Sequence, residues 1–249
     1  MESILNSPQN FAPVPGELHP LDLLELQLPE ATRERQRILP AGATGPYGAP
    51  YKMLRTQVLK RLEQLGASTL AILSPLSGAG KTLTAINLAI AVAAERDRKV
   101  LLVDLDLRNP SVARQLGFTP QVGVEDCLLA RRPLQDAMVS FGGYERLTVL
   151  PARSRVDNSS ELLAEQYTVA LLGAFRSQQP NPLVIFDLPP VLEADDALLF
   201  SRHFQAGLMV AHEGLTRRED LTRAIGLLQQ LSIIGTVLNA SRERQRSAY

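Results

Sequence analysis

The chain has no tryptophan, one cysteine and three histidines in 249 residues, and its 26 basic side chains equal its 26 acidic ones. With Cys127 alone there is no intrachain disulfide, and a reducing compartment is expected. His19, His203 and His212 lack metal-ligand spacing, so no histidine-built metal centre is expected. Zero net charge removes the global field that draws a protein to nucleic acid or anionic lipid, and no nucleic-acid partner is expected. No apolar run approaches the roughly 20 residues of a membrane helix; the most apolar stretch, 86–94, is short. The start, Met1-Glu2-Ser3-Ile4-Leu5-Asn6, has no basic region and no hydrophobic core, so it does not read as a signal peptide. The apolar share is 45%, enough to bury a sheet in one α/β domain with extensions.

Against that plain background stands S-P-L-S-G-A-G-K-T, Ser74 to Thr82. An apolar strand-like run, Leu70 to Leu73, precedes it, and a helix-like run, Leu83 to Ile90, follows. Gly78, Ala79 and Gly80 leave backbone N–H groups free to wrap phosphate oxygens at the positive end of a helix. Lys81 can reach the β- and γ-phosphates, and the Thr82 hydroxyl can hold Mg²⁺. Ser77, Gly78, Ala79, Gly80, Lys81, Thr82 and Leu83 are therefore the expected nucleotide-binding residues. Pro75 stands where the usual phosphate-loop pattern begins with glycine.

Two further apolar runs end in carboxylates. Lys99 to Val103 leads to Asp104 and Asp106, spaced so that both side chains leave one face of an extended chain. Leu183 to Phe186 leads to Asp187 and then Leu188-Pro189-Pro190. Parallel sheets collect such strand ends on one edge, where ligands bind. Asp104, Asp106 and Asp187 are thus expected to meet Lys81 and Thr82. Buried carboxylates are costly unless a cation faces them, and Mg²⁺ is the expected one, held by Thr82, Asp104 and Asp187.

The loop, the D-x-D strand followed by Arg108-Asn109-Pro110, and D-L-P-P-V-L followed by Asp195-Asp196-Ala197 together resemble the bacterial tyrosine kinases of capsule and exopolysaccharide synthesis. These belong to the P-loop ATPases that include the MinD and ParA proteins. The resemblance covers roughly residues 47–240 and continues in Leu147-Thr148-Val149-Leu150-Pro151-Ala152, Asn158 to Leu163 and Gly235 to Asn239. It implies an ATP-dependent protein-tyrosine autokinase that regulates polysaccharide polymerisation or export. ATP and Mg²⁺ are the implied cofactors, and Lys81, Asp104, Asp106 and Asp187 the implied catalytic residues. Asp106 is the candidate to orient or deprotonate the acceptor hydroxyl, a role it can exchange with Asp104. Arg108 reads either as a stabiliser of developing charge or as a salt bridge within its own loop. Asn239 resembles the adenine-contacting position, and also reads as a strand-end turn residue. The implied partner is a membrane-spanning polysaccharide chain-length regulator, with a cytoplasmic chain docked at the inner face of the membrane. A homo-oligomer through the first helix is also implied.

Departures from the family pattern keep other functions open. The extra lysine by which MinD- and ParA-type ATPases reach a partner's nucleotide is replaced by Leu76, which disfavours a MinD-like ATPase switch. The tail from Ser241 carries a single tyrosine, Tyr249, where the family has a cluster. Of the family's E-x-x-R-x-x-R ring contact only Arg55 remains, with Ala49 and Lys52 at the other two places, and lysine does not replace arginine at a bidentate contact. Leu188 stands where the family has threonine. A non-catalytic nucleotide-binding regulatory subunit is the other alternative. Tyr47, Tyr51, Tyr144 and Tyr167 are the remaining acceptor candidates.

The expected architecture is a doubly wound, mostly parallel sheet of about five to seven strands with helices on both faces, a P-loop NTPase. Residues 1–46 read as a Pro/Gly-rich, mostly irregular extension, 47–240 as the kinase or ATPase domain, and 241–249 as a basic tail. Within the extension, Leu21 to Leu28 is either a docking element or a segment packed on its own domain. A helix is expected from about Tyr51 to Leu65, with short ones at Val112–Leu116 and Val124–Leu129. Others are expected near Ala197 and from Arg218 to Leu231, and one is expected to run from an Asn158/Glu161 capping pattern towards Phe175.

Overall fold

Eight strands form one sheet in the computed structural model, which describes residues 23–45, 47–165 and 182–241. In chain order they are β1 (Leu24–Leu26), β2 (Thr69–Leu73), β3 (Lys99–Asp104), β4 (Val139–Phe141), β5 (Leu147–Leu150), β6 (Pro182–Asp187), β7 (Ala206–His212) and β8 (Ile233–Asn239). Their spatial order is β1-β4-β5-β3-β6-β2-β7-β8. Every neighbouring pair is parallel except β4 with β5. The class matches the expectation, and the strand count exceeds it because β1 and β4 extend one edge. Those two strands have three residues each, too short to show a period in the sequence.

The central strands are apolar throughout because both of their faces are covered. All five residues of β2 are buried, as are the last five of β3 and of β6. The helices are α1 (Glu30–Gln36), α2 (Gly48–Leu65), α3 (Lys81–Ala93), α4 (Val112–Leu116), α5 (Val124–Ala130), α6 (Ser159–Ala164), α7 (Asp196–Phe200) and α8 (Arg218–Leu227). One core lies under α2 and α3, with Ile72, Leu102, Ile185 and Leu208 facing it from the sheet. The other lies on the opposite face, where Leu73, Val103, Phe186 and Met209 meet Cys127, Leu163, Phe200 and Ala224. Helix α3 is buried all round because it is wedged between the sheet and α2; twelve of its thirteen residues are buried.

The N-terminal segment differs from its sequence reading. Residues 24–45 contribute β1, α1 and a short 3₁₀ turn at Ala41–Ala43, so ordered structure begins well before residue 47. Leu24–Leu26 packs on its own domain, parallel to Val139–Phe141. A buried amide secures this segment: Leu39 N–H donates to Asn87 Oδ1 at 2.9 Å, and Asn87 Nδ2 donates to the Arg37 carbonyl at 3.0 Å. Tyr144 adds a hydroxyl donated to the Leu39 carbonyl at 3.0 Å. Long-range side-chain clamps of this kind have no local sequence signature. The capping pattern expected at Asn158 does not form; Asn158 makes no side-chain cap, and Glu161 instead accepts the Ser160 hydroxyl at 3.1 Å. Helix α8 ends at Leu227, four residues before the expected Leu231. The course of the chain towards Phe175 lies outside the described residues.

Replacing Asn87 with alanine strands the buried Leu39 N–H and frees the Arg37 carbonyl, which lies nearer the surface. The expected loss is about 1–3 kcal/mol of unfolding free energy, read as a lower urea midpoint.

Candidate active site

The phosphate loop joins β2 to α3, and two of its glycines are required by backbone geometry. Gly78 and Gly80 sit at φ of 79° and 84°, in the left-handed region that side chains rarely adopt. At Gly80 a Cβ would also collide with the Asn239 side chain, whereas beside Gly78 the space is open. The loop thus carries no side chain at Gly78 or Gly80 as it enters a thirteen-residue helix, whose start is the positive end that phosphate binding uses.

Parallel register brings the carboxylates together beneath this loop. Asp104 and Asp187 are direct partners across β3 and β6, and Ile72 of β2 pairs with Asp187 from the other side. Lys81 Nζ donates to Asp187 Oδ1 at 2.7 Å and to Asp106 Oδ2 at 3.3 Å. Thr82 donates its hydroxyl to Asp187 Oδ2 at 2.6 Å, and the Ser111 hydroxyl lies 2.9 Å from the same Thr82 oxygen. Lys81, Thr82, Asp104, Asp106, Ser111 and Asp187 are all buried. The sequence pattern brought every one of them to this edge except Ser111. Its signal was there to read, one residue past the D-x-D-L-R-N-P run and at the start of α4.

Asp104 and Asp106 hold different positions. Asp104 Oδ2 accepts N–H groups from Ser111 and Val112, each at 3.0 Å, and Oδ1 accepts that of Asp106 at 3.2 Å. Burial, with the Asp187 charge adding to it, pushes its carboxyl up to about 8. Asp106 accepts the Asn109 N–H at 3.1 Å on one oxygen and Lys81 on the other. Its carboxyl is raised by burial, partly offset by the Lys81 charge. For Lys81, burial works against the charge, but Asp187 and Asp106 outweigh it and its pKa lies above the ordinary lysine value.

Three buried carboxyls thus face one buried ammonium, and a further positive charge suits the cluster. The donor set fits Mg²⁺, with a threonine hydroxyl beside a carboxylate oxygen and no nitrogen or sulfur ligand in the pair. Among the described residues no three His, Cys, Asp or Glu side chains form a metal cage.

Several other residues take places that the sequence did not disclose. Arg108 reaches across to the loop after β6, donating to Asp195 at 2.9 Å and to buried Asp196 at 2.8 Å. Its salt bridges therefore lie outside its own loop. Asp196 also accepts the Ser159 hydroxyl, tying the Arg108 loop, the start of α6 and α7 into one unit. Asn239 donates to the Ala79 carbonyl at 3.0 Å, fastening the end of β8 to the phosphate loop. Its side-chain oxygen accepts the Ala240 N–H at 2.8 Å. The Ser77 N–H, one of the expected nucleotide donors, is taken by the exposed Glu193 carboxylate at 2.7 Å. Leu83 continues α3 directly after Thr82. Arg55 turns inward, donating to the Ala91 carbonyl at 3.3 Å with its Nε 3.1 Å from Glu95. Tyr249 lies outside the described residues.

A P-loop at the carboxyl edge of a parallel sheet, backed by a D-x-D strand, defines a nucleotide-binding protein. A family model described as the CobQ/CobB/MinD/ParA nucleotide binding domain matches residues 70–249, and the chain belongs to that family. Within it, the chain is similar to bacterial tyrosine kinases. The tyrosine-protein kinase YwqD of Bacillus subtilis is 29% identical over 201 residues, covering 80% of this chain and 83% of that protein. The tyrosine-protein kinase etk of Escherichia coli K12 is 30% identical over 203 residues, 80% of this chain but 27% of that longer protein. The solved kinase domain of the Escherichia coli tyrosine kinase ETK matches with a TM-score of 0.72 at 26% identity, over 91% of each chain.

The raised Asp104 carboxyl makes stability depend on pH. Its folded pKa of about 8 lies above the ordinary carboxylate value of 3.8, so the folded state holds a proton that the unfolded chain releases. That contribution is complete below about pH 4 and is lost as pH rises towards 8. The thermal midpoint of the nucleotide-free protein should fall between pH 5 and pH 8, and Asp104→Asn should flatten the decline. A second expectation concerns the loop. Glu193→Ala frees the Ser77 N–H, and nucleotide affinity measured by calorimetry should rise about fivefold, the value of one exposed hydrogen bond.

Proposed function

We propose that this chain is an ATP-dependent protein-tyrosine autokinase that regulates exopolysaccharide or capsule polymerisation or export. The observation that carries the reading is the buried cluster of Lys81, Thr82, Asp106 and Asp187 beneath an open glycine loop. The similarity to tyrosine kinases over 80% of the chain supplies the acceptor class.

The proposed mechanism uses groups already in place. Lys81 leaves its carboxylate partners for the β- and γ-phosphate oxygens, and the loop amides from Gly78 to Leu83 surround the same oxygens. Mg²⁺, held by Thr82 and reached directly or through water by Asp187 and Asp104, would neutralise charge that builds on the phosphates. Asp106 accepts the proton of the tyrosine hydroxyl. Its assignment over Asp104 rests on hydrogen bonding: Asp104 is occupied by three backbone N–H groups, Asp106 by one and by the Lys81 ammonium. Positioning and electrostatics do most of the work in phosphoryl transfer, so no covalent intermediate on the protein is needed. Asn239, by holding Ala79, sets the loop edge against which the base would lie.

Residues 47–240 form the proposed kinase domain, and 241–249 the tail that offers Tyr249 as acceptor. The partner proposed is a membrane-spanning polysaccharide chain-length regulator, with this chain on the cytoplasmic side at the inner membrane face. Among the described residues no helix is long and apolar enough to cross a membrane. The inward turn of Arg55 favours weakened assembly through α2 and lends support to the regulatory-subunit alternative. Leu76, which cannot donate to a partner's phosphate, disfavours the MinD-like switch.

Purified protein incubated with Mg²⁺-ATP should acquire phosphotyrosine at Tyr249, mapped by mass spectrometry. Lys81→Met should lower it by at least about 10³-fold, since the substitution removes the charge that faces the transferred phosphate. Nucleotide binding without any phosphotyrosine would instead support the regulatory subunit, and phosphate release without phosphotyrosine the ATPase switch.

A further inference from the structure

We propose that Tyr47, at the start of α2, is a second phosphoacceptor, presented on the same edge of the molecule as the phosphate loop. The proposal rests on the kinase reading and adds a modification site to it.

Three of the five tyrosines are described, and the structure separates them sharply. Tyr51 is half-buried, with its hydroxyl turned in beside Asn87 and Thr84, and burial raises its pKa. Tyr144 is 8% exposed and donates its hydroxyl to the Leu39 carbonyl at 3.0 Å, and burial raises its pKa too. Neither hydroxyl can reach a phosphate without dismantling the packing of the N-terminal segment. Tyr47 is 47% exposed.

Its height on the molecule follows from how α2 lies on α3. The Tyr51 hydroxyl meets Thr84 and Asn87, and one turn later Arg55 meets Ala91 and Glu95. The two helices therefore run side by side in the same direction. One turn before Tyr51, Tyr47 stands level with the first turn of α3, where the phosphate loop ends at Lys81. Gly48, next in the chain, packs so closely on the Ala43 carbonyl that a Cβ there would overlap it. The backbone at Tyr47 is thus fixed while its side chain faces outward.

The site also suits the product. Tyr47 is the N-cap of an eighteen-residue helix whose first turn has no acidic side chain, so a phosphate there meets no like charge from that turn. In the transfer, the Tyr47 hydroxyl oxygen forms a bond to the γ-phosphorus as the bond from that phosphorus to the β–γ bridging oxygen breaks. The phenolic proton passes to Asp106, and ADP leaves with the bridging oxygen.

The test is phosphotyrosine mapping after Mg²⁺-ATP incubation of the full chain as wild type, Tyr249→Phe, Tyr47→Phe and the double variant. Tyr249→Phe should keep roughly half of the label, now on Tyr47, and the double variant should lose at least nine-tenths of it. Phosphate on Tyr249 alone overturns the second acceptor and leaves the kinase reading standing. No phosphotyrosine in any chain overturns both. A chemical check runs independently of kinase activity: tetranitromethane should nitrate Tyr47 in the native protein while sparing Tyr51 and Tyr144. A native Tyr47 that resists nitration as they do would also overturn the proposal.

Discussion

One buried ammonium organises the functional half of this molecule. Lys81 sits among three carboxyls that parallel pairing forces to a single edge, and without its charge that concentration of buried acid would be unfavourable. Burial, with the Asp187 charge added to it, raises the Asp104 carboxyl to about 8. The same groups are the ones that the proposed reaction uses.

Around that centre the structure ties separate loops together with side chains rather than with sheet hydrogen bonds. Asp104 holds the start of α4, Asp196 gathers Arg108 and Ser159, and Asn239 fastens the last strand to the phosphate loop. The Asp196 and Asn239 links join segments far apart in the chain, so the geometry of the site depends on the sheet being fully assembled. Asn87 plays the same part on the opposite side of α3, where it secures the N-terminal segment. Nearly every residue of α3 is buried, which makes the helix behind the phosphate loop the most constrained element of the fold.

Helix α2 is held against α3 towards its middle and open to solvent at its start. Arg55 is spent on the end of α3. The exposed N-terminal end of the same helix carries Tyr47, and Met53 is exposed on the next turns.

Much of the active site was legible because its chemistry is local. A glycine loop between a strand and a helix, and strands that end in aspartate, announce themselves through spacing and through the cost of burying charge. The parallel α/β class followed from the alternation of apolar runs with helical ones. What remained hidden depends on residues meeting across long separations. The two short edge strands, the Glu193 carboxylate on the loop, the turn of Arg55 and the Asp196 junction carry no periodicity or motif. The sequence by itself determined which groups can bind a nucleotide and on which edge they gather, because strand direction and residue type suffice for that. Only the tertiary structure decided which donors are already taken, which tyrosines face solvent and which carboxylate is free to act, because those outcomes depend on packing between segments that the chain keeps apart.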